Sequence, residues 1–437
     1  MNSVTLMDVL QAREDRVLRQ NELLRQFRRP LVSFTMNIAG PIKDTPLIRR
    51  GFESGCRIMA QQLLRARASI LHHETKTAPT GCEAIWVVDL AADRLKQLTT
   101  EAEEASALGR LFDLDVLTED GTKLDRSIER ACLICGKPGR SCARSRTHSV
   151  EELQIKTNQI LQDALEQQDR IRAAELACRA LLYEVCVTPK PGLVDRSNSG
   201  SHRDMDCFTF LSSAASLWPY FETCTKIGQE TAALSPEETF RKLRLPGKMA
   251  ENAMLSATGG VNTHKGAIFS MGILCAALGR LEQTAWRDPA AILAECAAMT
   301  RGLIAQDFAG LTEETAVTAG ERFFVRHGVT GIRGQMEAGL PTVLAHGLPA
   351  LEKALQQGKS NDEAGLAALL ALIRSTEDTN LLSRGGWEGQ QWAVAAANTI
   401  ADPHELDQAY IARNLSPGGC ADLLAVCWML YFLKTEA

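Results

Sequence analysis

Residues Leu111–Leu117 read L-F-D-L-D-V-L, a short stretch in which apolar and acidic residues alternate. Alternation with a period of two predicts a β-strand that places its apolar side chains on one face. Asp113 and Asp115 then lie together on the opposite face. The stretch therefore predicts a sheet in which one strand carries a pair of carboxylates.

Two more segments upstream have the composition of strands. Leu31–Ile38 (L-V-S-F-T-M-N-I) and Ala84–Leu90 (A-I-W-V-V-D-L) are short, apolar and rich in β-branched residues. Helical spacing and few helix breakers predict helices over Phe52–Leu71 and Asp93–Leu108. The first part of the chain is thus predicted to be an α/β or α+β domain.

Beyond about Glu151 the sequence changes character. Long stretches rich in Ala and Leu alternate with loops that contain Gly and Pro, a pattern typical of an all-α domain. The predicted helical stretches are Ile155–Val187, Cys207–Cys224, Ile268–Leu281, Ile292–Ile304, Ala364–Ile373 and Ala421–Lys434. A length of 437 residues favours two or three domains, and we predict one over residues 1–155 and another over 160–437.

The composition indicates a soluble, cytoplasmic protein. Hydrophobic residues make up 45% and charged residues 23%, the first thirty residues lack a secretory signal, and the 13 cysteines are an odd number. The longest apolar runs, Ala267–Leu278 and Leu423–Leu433, are shorter than the roughly twenty residues that span a bilayer. We therefore expect reduced thiols and no membrane association.

Charge is unevenly distributed along the chain. Residues 1–150 hold 23 Lys and Arg against 19 Asp and Glu, a net charge of +4. The whole chain has a net charge of −5, so the remaining residues carry −9. A mildly basic first part suits a polyanionic ligand or an acidic protein partner, although drift between two domains explains the asymmetry equally well. Nucleic acid is not expected, because no basic stripe is sustained and aromatic residues are only 5%.

An Asp-x-Asp pair on a strand can hold one or two magnesium ions. Phosphoryl and nucleotidyl transfer need such metal ions, because they neutralise charge that develops on the phosphate and on the leaving group. Arg110, which follows Gly109, can supply a cation for phosphate. Taken alone, two aspartates on a strand that simply faces solvent explain Asp113 and Asp115 as well.

A second candidate site combines Cys132, Cys135, Cys142 and His148. Four soft ligands at short spacings match a structural zinc site. The irregular third gap and the neighbouring arginines leave open a basic loop with reduced thiols instead.

The second half contains a Pro-rich loop, T-P-K-P-G-L-V-D, at Thr188–Asp195. Its prolines cannot continue a helix, so the loop is rigid enough to direct Lys190 at a phosphate and Asp195 at a metal ion. An ordinary helix connection is the alternative. Further polar groups follow closely, namely Ser201, His202, Asp204 and Asp206.

Gly259–Gly266, which reads G-G-V-N-T-H-K-G, leads into an apolar helix. The backbone N–H groups after Gly259 and Gly260, together with Lys265, favour an anion there, although the spacing is not that of a Walker loop. Three other loops also join glycines to charged groups near helix ends: Gly328–Gln335, Asp378–Gly386 and Leu415–Leu424. These residues alone predict a helical enzyme that binds a polyphosphate with magnesium.

Three motifs in the first half carry a family resemblance: Asn37–Lys43 (N-I-A-G-P-I-K), Gly109–Val116 (G-R-L-F-D-L-D-V) and Cys132–Ser149. Over about residues 5–155 the chain resembles the holo-acyl-carrier-protein synthase of citrate lyase and, more distantly, its nucleotidyltransferase-like malonate decarboxylase counterpart. The resemblance implies transfer of a phosphoribosyl-dephospho-CoA unit to a serine of the apo acyl carrier protein, with release of pyrophosphate. It makes Asp113 and Asp115 the magnesium-binding catalytic pair.

The five loops of the second half resemble the triphosphoribosyl-dephospho-CoA synthase family over roughly residues 160–437. That family implies that the ribose of ATP is joined to 3′-dephospho-CoA while adenine is expelled. Such glycosyl transfer needs carboxylates, cations for three phosphates and a group near the leaving base. The candidate carboxylates are Asp195, Asp204, Asp206 and Asp378, and the candidate cations are Lys190, Lys265, Arg333 and Arg384. His264 is the candidate that would protonate adenine. Gln335 stands where the family pattern leads us to expect Glu, so the role of that position is open.

Two other functions fit parts of the sequence. One is a synthase with a single activity, whose first domain only docks the carrier protein. The other is a zinc-bearing regulatory module fused to a domain that senses nucleotides. Metal dependence of the first half and turnover of ATP to adenine would distinguish them from a bifunctional enzyme.

Overall fold

The structure, a computed structural model, describes residues 3–126, 129–316 and 319–436. It divides into two compact units, one that ends at Gln167 and one that begins at Gln168. The predicted two-domain organisation is therefore confirmed. The division falls inside a long helix, Val150–Cys186, which begins in the first unit and ends in the second.

The first unit is an α+β fold around one antiparallel sheet. Its strands are β1 (Leu31–Met36), β2 (Ser69–Ala78), β3 (Gly81–Asp89) and β4 (Phe112–Leu117), in the spatial order β2-β3-β1-β4. Its helices are α1 (Leu6–Phe27), α2 (Pro46–Arg65), α3 (Ala92–Glu104), α4 (Gly139–Ser145) and the first part of α5 (Val150–Cys186). A 3₁₀ turn, Leu108–Leu111, leads directly into β4.

Both faces of the sheet bury apolar side chains. On one face, Phe34 stacks on Phe52 of α2 with ring centroids 4.9 Å apart, and Leu114 of β4 joins the same core. On the other face, Leu31 and Val87 pack against residues of α1. Because β4 is an edge strand and side chains alternate, its acidic residues lie on the face towards α1, near the edge of the sheet.

Strand β2 corrects the predicted helix Phe52–Leu71. The helix ends at Arg65, and Arg67 takes a left-handed conformation with φ 52° that turns the chain into β2. The strand is polar and mostly exposed, so its sequence has no apolar alternation that would identify it. Its pairing with β3 across a tight turn at Gly81 stabilises it instead.

The second unit is all-α in its described residues, as predicted. Its helices are the remainder of α5, then α6 (Cys207–Ser216), α7 (Trp218–Glu230), α8 (Pro236–Ala257), α9 (Lys265–Arg280), α10 (Pro289–Met299), α11 (Leu303–Asp307), α12 (Ala319–His327), α13 (Gly331–Glu337), α14 (Leu348–Gln356), α15 (Asn361–Ser375), α16 (Thr379–Thr399), α17 (Pro403–Ala412) and α18 (Gly418–Glu436). One large apolar core surrounds α9 and α18. Two predicted stretches, Cys207–Cys224 and Ile292–Ile304, are each broken into two helices, at Leu217 and at Gly302.

Helix α18 is long and apolar enough to cross a membrane by length and composition. Two thirds of its most apolar window (67%) is buried inside the second unit, and core helices of soluble proteins pass the same test. The helix therefore gives only weak support for a membrane span.

Candidate active sites

Strand β4 carries the carboxylate pair of the first unit. Phe112, Leu114 and Val116 are buried while the two aspartates between them are not, so the predicted shared face is confirmed. Asp115 is half-buried, and its Oδ2 lies 2.6 Å from Nζ of Lys123. The side chain of Asp113 is exposed and makes no hydrogen bond or ion pair within the described chain, which leaves its carboxylate oxygens accessible to a ligand.

A cavity of about 1230 Å³ in the first unit includes both aspartates. Seven lysine and arginine side chains and five acidic ones line it. The cations are Lys96, Arg110, Lys123, Arg126, Arg130, Arg140 and Arg146. Burial lowers the pKa of Lys96, against the opposing effects of Glu103 and Asp115. A polar cavity of this size and charge can accept a phosphorylated nucleotide.

Glu103, which the sequence analysis did not select, organises one side of this cavity. It is 3% exposed, and its carboxylate accepts a hydrogen bond of 2.8 Å from the backbone N–H of Leu114 on the open edge of β4. The same carboxylate forms ion pairs with Arg126, at 2.6 Å, and with Arg130. A buried glutamate towards the end of an amphipathic helix is the signal that would have identified it.

The predicted cysteine cluster also borders the cavity. The ligand atoms of Cys132, Cys135, Cys142 and His148 all lie within 4.8 Å of one another, and the Sγ atoms of Cys135 and Cys142 are 3.4 Å apart. Helix α4 supplies Cys142, and a turn supplies the two earlier cysteines. The Nε2 atom of His148 is buried and has no hydrogen-bond partner among the described residues.

The thiols of this cluster affect each other's protonation. The neighbouring His148 imidazole, followed by smaller hydrogen-bond effects, lowers the pKa of Cys135 to about 6. The pKa of Cys142 is raised to about 11, first because it hydrogen-bonds to Cys135 and then because of desolvation. Three thiol sulfurs and one imidazole nitrogen in one small volume fit the donor set of a tetrahedral zinc ion.

In the second unit, Lys190, for which a phosphate contact was predicted, has its side chain inside the protein. Its side chain is 1% exposed, and Nζ donates to the backbone carbonyl of Glu184 at 2.7 Å and pairs with the same residue's carboxylate. The nearby Asp195 is also buried, and it accepts hydrogen bonds from the backbone N–H groups of Lys190, Ser197 and Asn198. Both residues therefore shape the loop, because their polar atoms are already occupied within it.

The rest of this loop reaches the beginning of α18. Ser201 Oγ donates to the carbonyl of Leu415 at 2.7 Å, and a ring nitrogen of His202 lies 3.0 Å from Ser416 Oγ. Arg384 donates to the carbonyl of Ser201, at 2.8 Å, and lies beside the His202 ring. Of the predicted carboxylates, Asp204 is exposed near Arg384, whereas Asp206 caps helix α6.

The Gly259–Gly266 loop ends at the N-terminus of α9. Gly259 and Gly260 have φ values of 65° and 94°, and both are open to solvent. Lys265 is exposed and pairs with Glu251 at 3.1 Å. His264 is buried, and burial, helped by the charge of Lys190, lowers the pKa of its imidazole to about 3.

Asp378, which is buried, and Asp422, which is half-buried, are two carboxylates in the first turns of helices α16 and α18. Asp378 caps α16 and accepts from the backbone N–H of Cys420 in α18 at 2.8 Å, and burial raises its pKa. Asp422, which the sequence analysis quoted but did not select, has a pKa raised well above the ordinary value by burial and by Glu184. An aspartate within an otherwise apolar helix is the signal that would have identified Asp422.

The five predicted loops converge. A β-carbon at Gly266 would lie 2.0 Å from Oδ2 of Asp422, so the second and fifth loops touch. Gly331 of the third loop approaches the side chain of Thr379 in the fourth, where a β-carbon would lie 3.1 Å from Cγ2. The fourth loop meets the fifth through Asp378 and Cys420. The first loop meets the fifth at Gly192, where a β-carbon would lie 2.1 Å from the carbonyl oxygen of Leu415.

Arg333, one of the predicted phosphate-binding cations, forms an ion pair within the protein. It lies on α13 in the third loop, pairs with Asp307 at 3.2 Å, and stands 5.4 Å from the ring centre of Phe308. Gln335, in the same helix, accepts a hydrogen bond from Thr342 Oγ1 at 3.1 Å. These contacts connect the third loop to residues outside it, namely Asp307, Phe308 and Thr342.

The two units thus define a bifunctional transferase that handles phosphorylated nucleotides. A family model for the apo-citrate lyase phosphoribosyl-dephospho-CoA transferase matches residues 4–164, and one for the ATP:dephospho-CoA triphosphoribosyl transferase matches residues 170–437. The chain belongs to the CitXG family, in which these two transferase domains follow one another.

Two curated relatives are similar to this protein over almost the whole chain, and a third is similar to its second part. Protein CitXG of Haemophilus influenzae is 34% identical over 460 residues, which cover 99% of this chain and 97% of the relative. Protein CitXG of Leuconostoc mesenteroides subsp. cremoris is 33% identical, with coverages of 96% and 95%. The 2-(5''-triphosphoribosyl)-3'-dephosphocoenzyme-A synthase of Pectobacterium atrosepticum is 44% identical over 265 residues, which cover 59% of this chain and 87% of the relative.

Proposed function

We propose that the chain carries out two successive steps, each in its own unit. The second unit joins the ribose of ATP to 3′-dephospho-CoA and releases adenine. The product keeps the triphosphate of ATP. The first unit transfers the phosphoribosyl-dephospho-CoA part of this product to a serine of the apo acyl carrier protein of citrate lyase, and the two terminal phosphates leave as pyrophosphate. The observation that carries this assignment is that each unit has its own site of converging carboxylates and cations.

In the transferase step, Asp113 and Asp115 would hold magnesium, which supplies a counter-charge for the leaving pyrophosphate. The support is their shared face on β4, next to the cation-lined cavity. Arg110 borders the same cavity, and its guanidinium donates to the carbonyl of Ala131 at 2.5 Å, which holds it in place to contact phosphate. We also propose that the sheet belongs to the nucleotidyltransferase-like folds and that the reaction takes place in the cytoplasm.

Zinc would be held by the four-residue cluster of Cys132, Cys135, Cys142 and His148. Their ligand atoms already lie within 4.8 Å of one another, and an imidazole nitrogen of His148 would be the fourth ligand. A zinc ion would link the turn at Cys132 to helix α4, and α4 and its flanks carry Arg140 and Arg146 of the cavity wall. We therefore assign the cluster a structural role.

In the synthase step, the converging loops provide the groups that glycosyl transfer needs. The backbone after Gly259 and Gly260, with Lys265, lies at the N-terminus of α9, where a triphosphate is favoured electrostatically. Asp204 would contact substrate, since it is exposed beside the partly buried guanidinium of Arg384. Arg384 would hold together the chain segments beside the first and fifth loops, since it donates to the carbonyls of Ser201 and Asn414. Lys190, Asp195, Asp206 and Asp378 would support the loops, because their polar atoms bind within the chain.

Two assays separate the proposed activities. Asp113→Asn keeps the shape of the side chain but removes one negative charge from the ligand set, so carrier-protein labelling should be abolished. Adenine release should continue at the rate of the parent chain, because it occurs in the other unit. Arg110→Ala should reduce labelling less, since the metal site remains. Wild-type labelling by folded Asp113→Asn would remove the pair from catalysis, and loss of both activities would indicate one shared site.

A further inference from the structure

His264 lies at the beginning of helix α9 with its two ring nitrogens in different situations. The residue is 2% exposed, and Nδ1 lies 2.7 Å from Oγ of Ser213 on α6. Nε2 is buried and has no hydrogen-bond partner in the described part of the chain. The ring of Phe210, one turn before Ser213, meets the imidazole edge-to-face with centroids 5.0 Å apart.

The hydroxyl groups around His264 determine which nitrogen carries the proton. Thr263 Oγ1 donates to Ser213 Oγ at 2.7 Å, so the oxygen of Ser213 accepts from Thr263 and its single hydrogen is directed to Nδ1 of His264. A neutral imidazole whose Nδ1 accepts carries its hydrogen on Nε2. The chain therefore presents a buried N–H donor that has no acceptor.

An unused buried donor is unfavourable, and folded proteins usually satisfy such groups. A histidine that served only in packing would be expected to use both nitrogens within the protein. His264 lies two residues before Gly266, where a β-carbon would lie 2.0 Å from Oδ2 of Asp422 in the fifth loop, so the imidazole lies among the converging loops. The missing acceptor is then a group on the substrate.

We propose that Ser213 and Thr263 are positioning residues of the synthase reaction, which hold His264 so that its Nε2–H donates to a ring nitrogen of the leaving adenine. The inference rests on the proposed function of the second unit. In the reaction, the bond between C1′ of the ATP ribose and N9 of adenine breaks, and its electron pair goes to the base. The bond from the attacking hydroxyl oxygen to C1′ forms, and the hydroxyl proton balances the charge of the released adenine.

A neutral imidazole that donates a hydrogen bond suits this position better than a charged imidazolium that transfers its proton. Burial lowers the pKa of His264 to about 3, so the ring stays uncharged at neutral pH. It can stabilise electron density that builds up on adenine by a fixed hydrogen bond, which needs no reorganisation during the reaction. This replaces the predicted role of His264 as the acid that protonates adenine.

The kinetic test compares variants of the full-length chain by adenine release from ATP and dephospho-CoA. Ser213→Ala should lower kcat by about tenfold or more with little change in the KM for ATP, because an interaction strengthened in the transition state is lost. Thr263→Val should lower kcat by a smaller factor, and Thr263→Ser should restore it. Ser216→Ala is the matched control and should leave kcat unchanged, since within the described residues the Ser216 hydroxyl donates to the backbone carbonyl of Ser213 and makes no contact with His264.

The spectroscopic test reads the tautomer directly. With ¹⁵N-labelled histidine, the resonances that His264→Gln removes identify His264, and we expect the Nε2–H form in the parent chain and a mixture with the Nδ1–H form in Ser213→Ala. An Nδ1–H form in the parent, or kinetics of Ser213→Ala equal to those of Ser216→Ala, overturns the inference while adenine release by the parent still supports the proposed function. A parent chain that releases no adenine overturns the proposed function itself.

Discussion

Nζ of Lys123 lies 2.6 Å from Oδ2 of Asp115, so one of the two carboxylates on β4 is neutralised by a lysine from the next segment of chain. The lysine side chain is 57% exposed, so water can replace its contact with Asp115. An exposed pair of this kind contributes little stability, about 0–1 kcal/mol. Lys123 therefore competes weakly with a metal ion for Asp115.

Lys123→Met should lower the magnesium concentration needed for half-maximal labelling of the carrier protein, by up to about fivefold. The measurement is a magnesium titration of the labelling rate at saturating donor. Lys359→Met is the matched control, because Lys359 forms a similarly exposed pair with Glu363 at 2.8 Å in the second unit. A magnesium requirement that rises in Lys123→Met would contradict the prediction, because removing a competing cation should not weaken metal binding at Asp115.

Zinc content tests the cysteine cluster. Protein purified without chelator should hold about one zinc per chain, and Cys135→Ser should lose it because one thiolate of the tetrahedral set is removed. Cys207→Ser, a half-buried cysteine in the second unit, should keep the metal. Metal analysis well below one zinc per chain in the parent would show that the cluster has another role.

The sequence predicted these first-unit sites because their residues are close along the chain. The Asp pair needs only strand alternation, and the cluster spans seventeen residues from Cys132 to His148. Glu103 could not be predicted in this way, since its partners Arg126 and Arg130 come from a later loop. Strand β2 was missed because pairing with β3, rather than its own composition, makes it a strand.

Lys190 shows a different limit of sequence reasoning. Its loop suggested a phosphate ligand, but the chain turns back so that the ammonium group meets Glu184 at the end of α5. Only the folded geometry determines whether a lysine beside prolines points outward or inward. The convergence of the five loops could not be predicted from the sequence either, because the contacts that join them are tertiary.

The buried pair of Lys190 and Glu184 gives a stability prediction. Lys190→Met leaves a buried carboxylate without its cation and should destabilise the chain by about 3–5 kcal/mol. The double variant Glu184→Gln with Lys190→Met should recover most of that loss, as measured by denaturant unfolding. If Lys190→Met unfolds like the parent but loses adenine release, Lys190 contacts the substrate after all.

The pH dependence of adenine release tests the protonation state of His264. A lowered pKa of about 3 means that the ring is neutral at every pH from 5 to 8. The ratio of the parent rate to that of His264→Gln should therefore stay constant over this range. If His264 acted as a protonated acid with an ordinary pKa, the ratio would fall as the pH rose through about 6.5. A ratio that declines about tenfold per pH unit above that value would restore the acid role.

Fragments of the chain test the division of labour, and the core of the first unit determines where to cut. Leu161 of α5 is fully buried in that core and Ile160 is 8% exposed. Both residues lie beyond the predicted domain end at residue 155, so a fragment cut there would lack part of its core. Deleting a large apolar core side chain costs about 2–5 kcal/mol, against a typical domain stability of 5–15 kcal/mol.

A fragment of residues 1–167 should therefore fold and label the carrier protein when it is given the purified intermediate, whereas residues 1–155 should be unfolded or aggregate. Residues 168–437 should release adenine without the first unit, because all five converging loops lie within them. Leu161→Ala in the 1–167 fragment is the graded control, and its thermal unfolding should fall between those of the two fragments. A folded 168–437 fragment that releases no adenine, while the full chain does, would show that the synthase activity needs residues of the first unit.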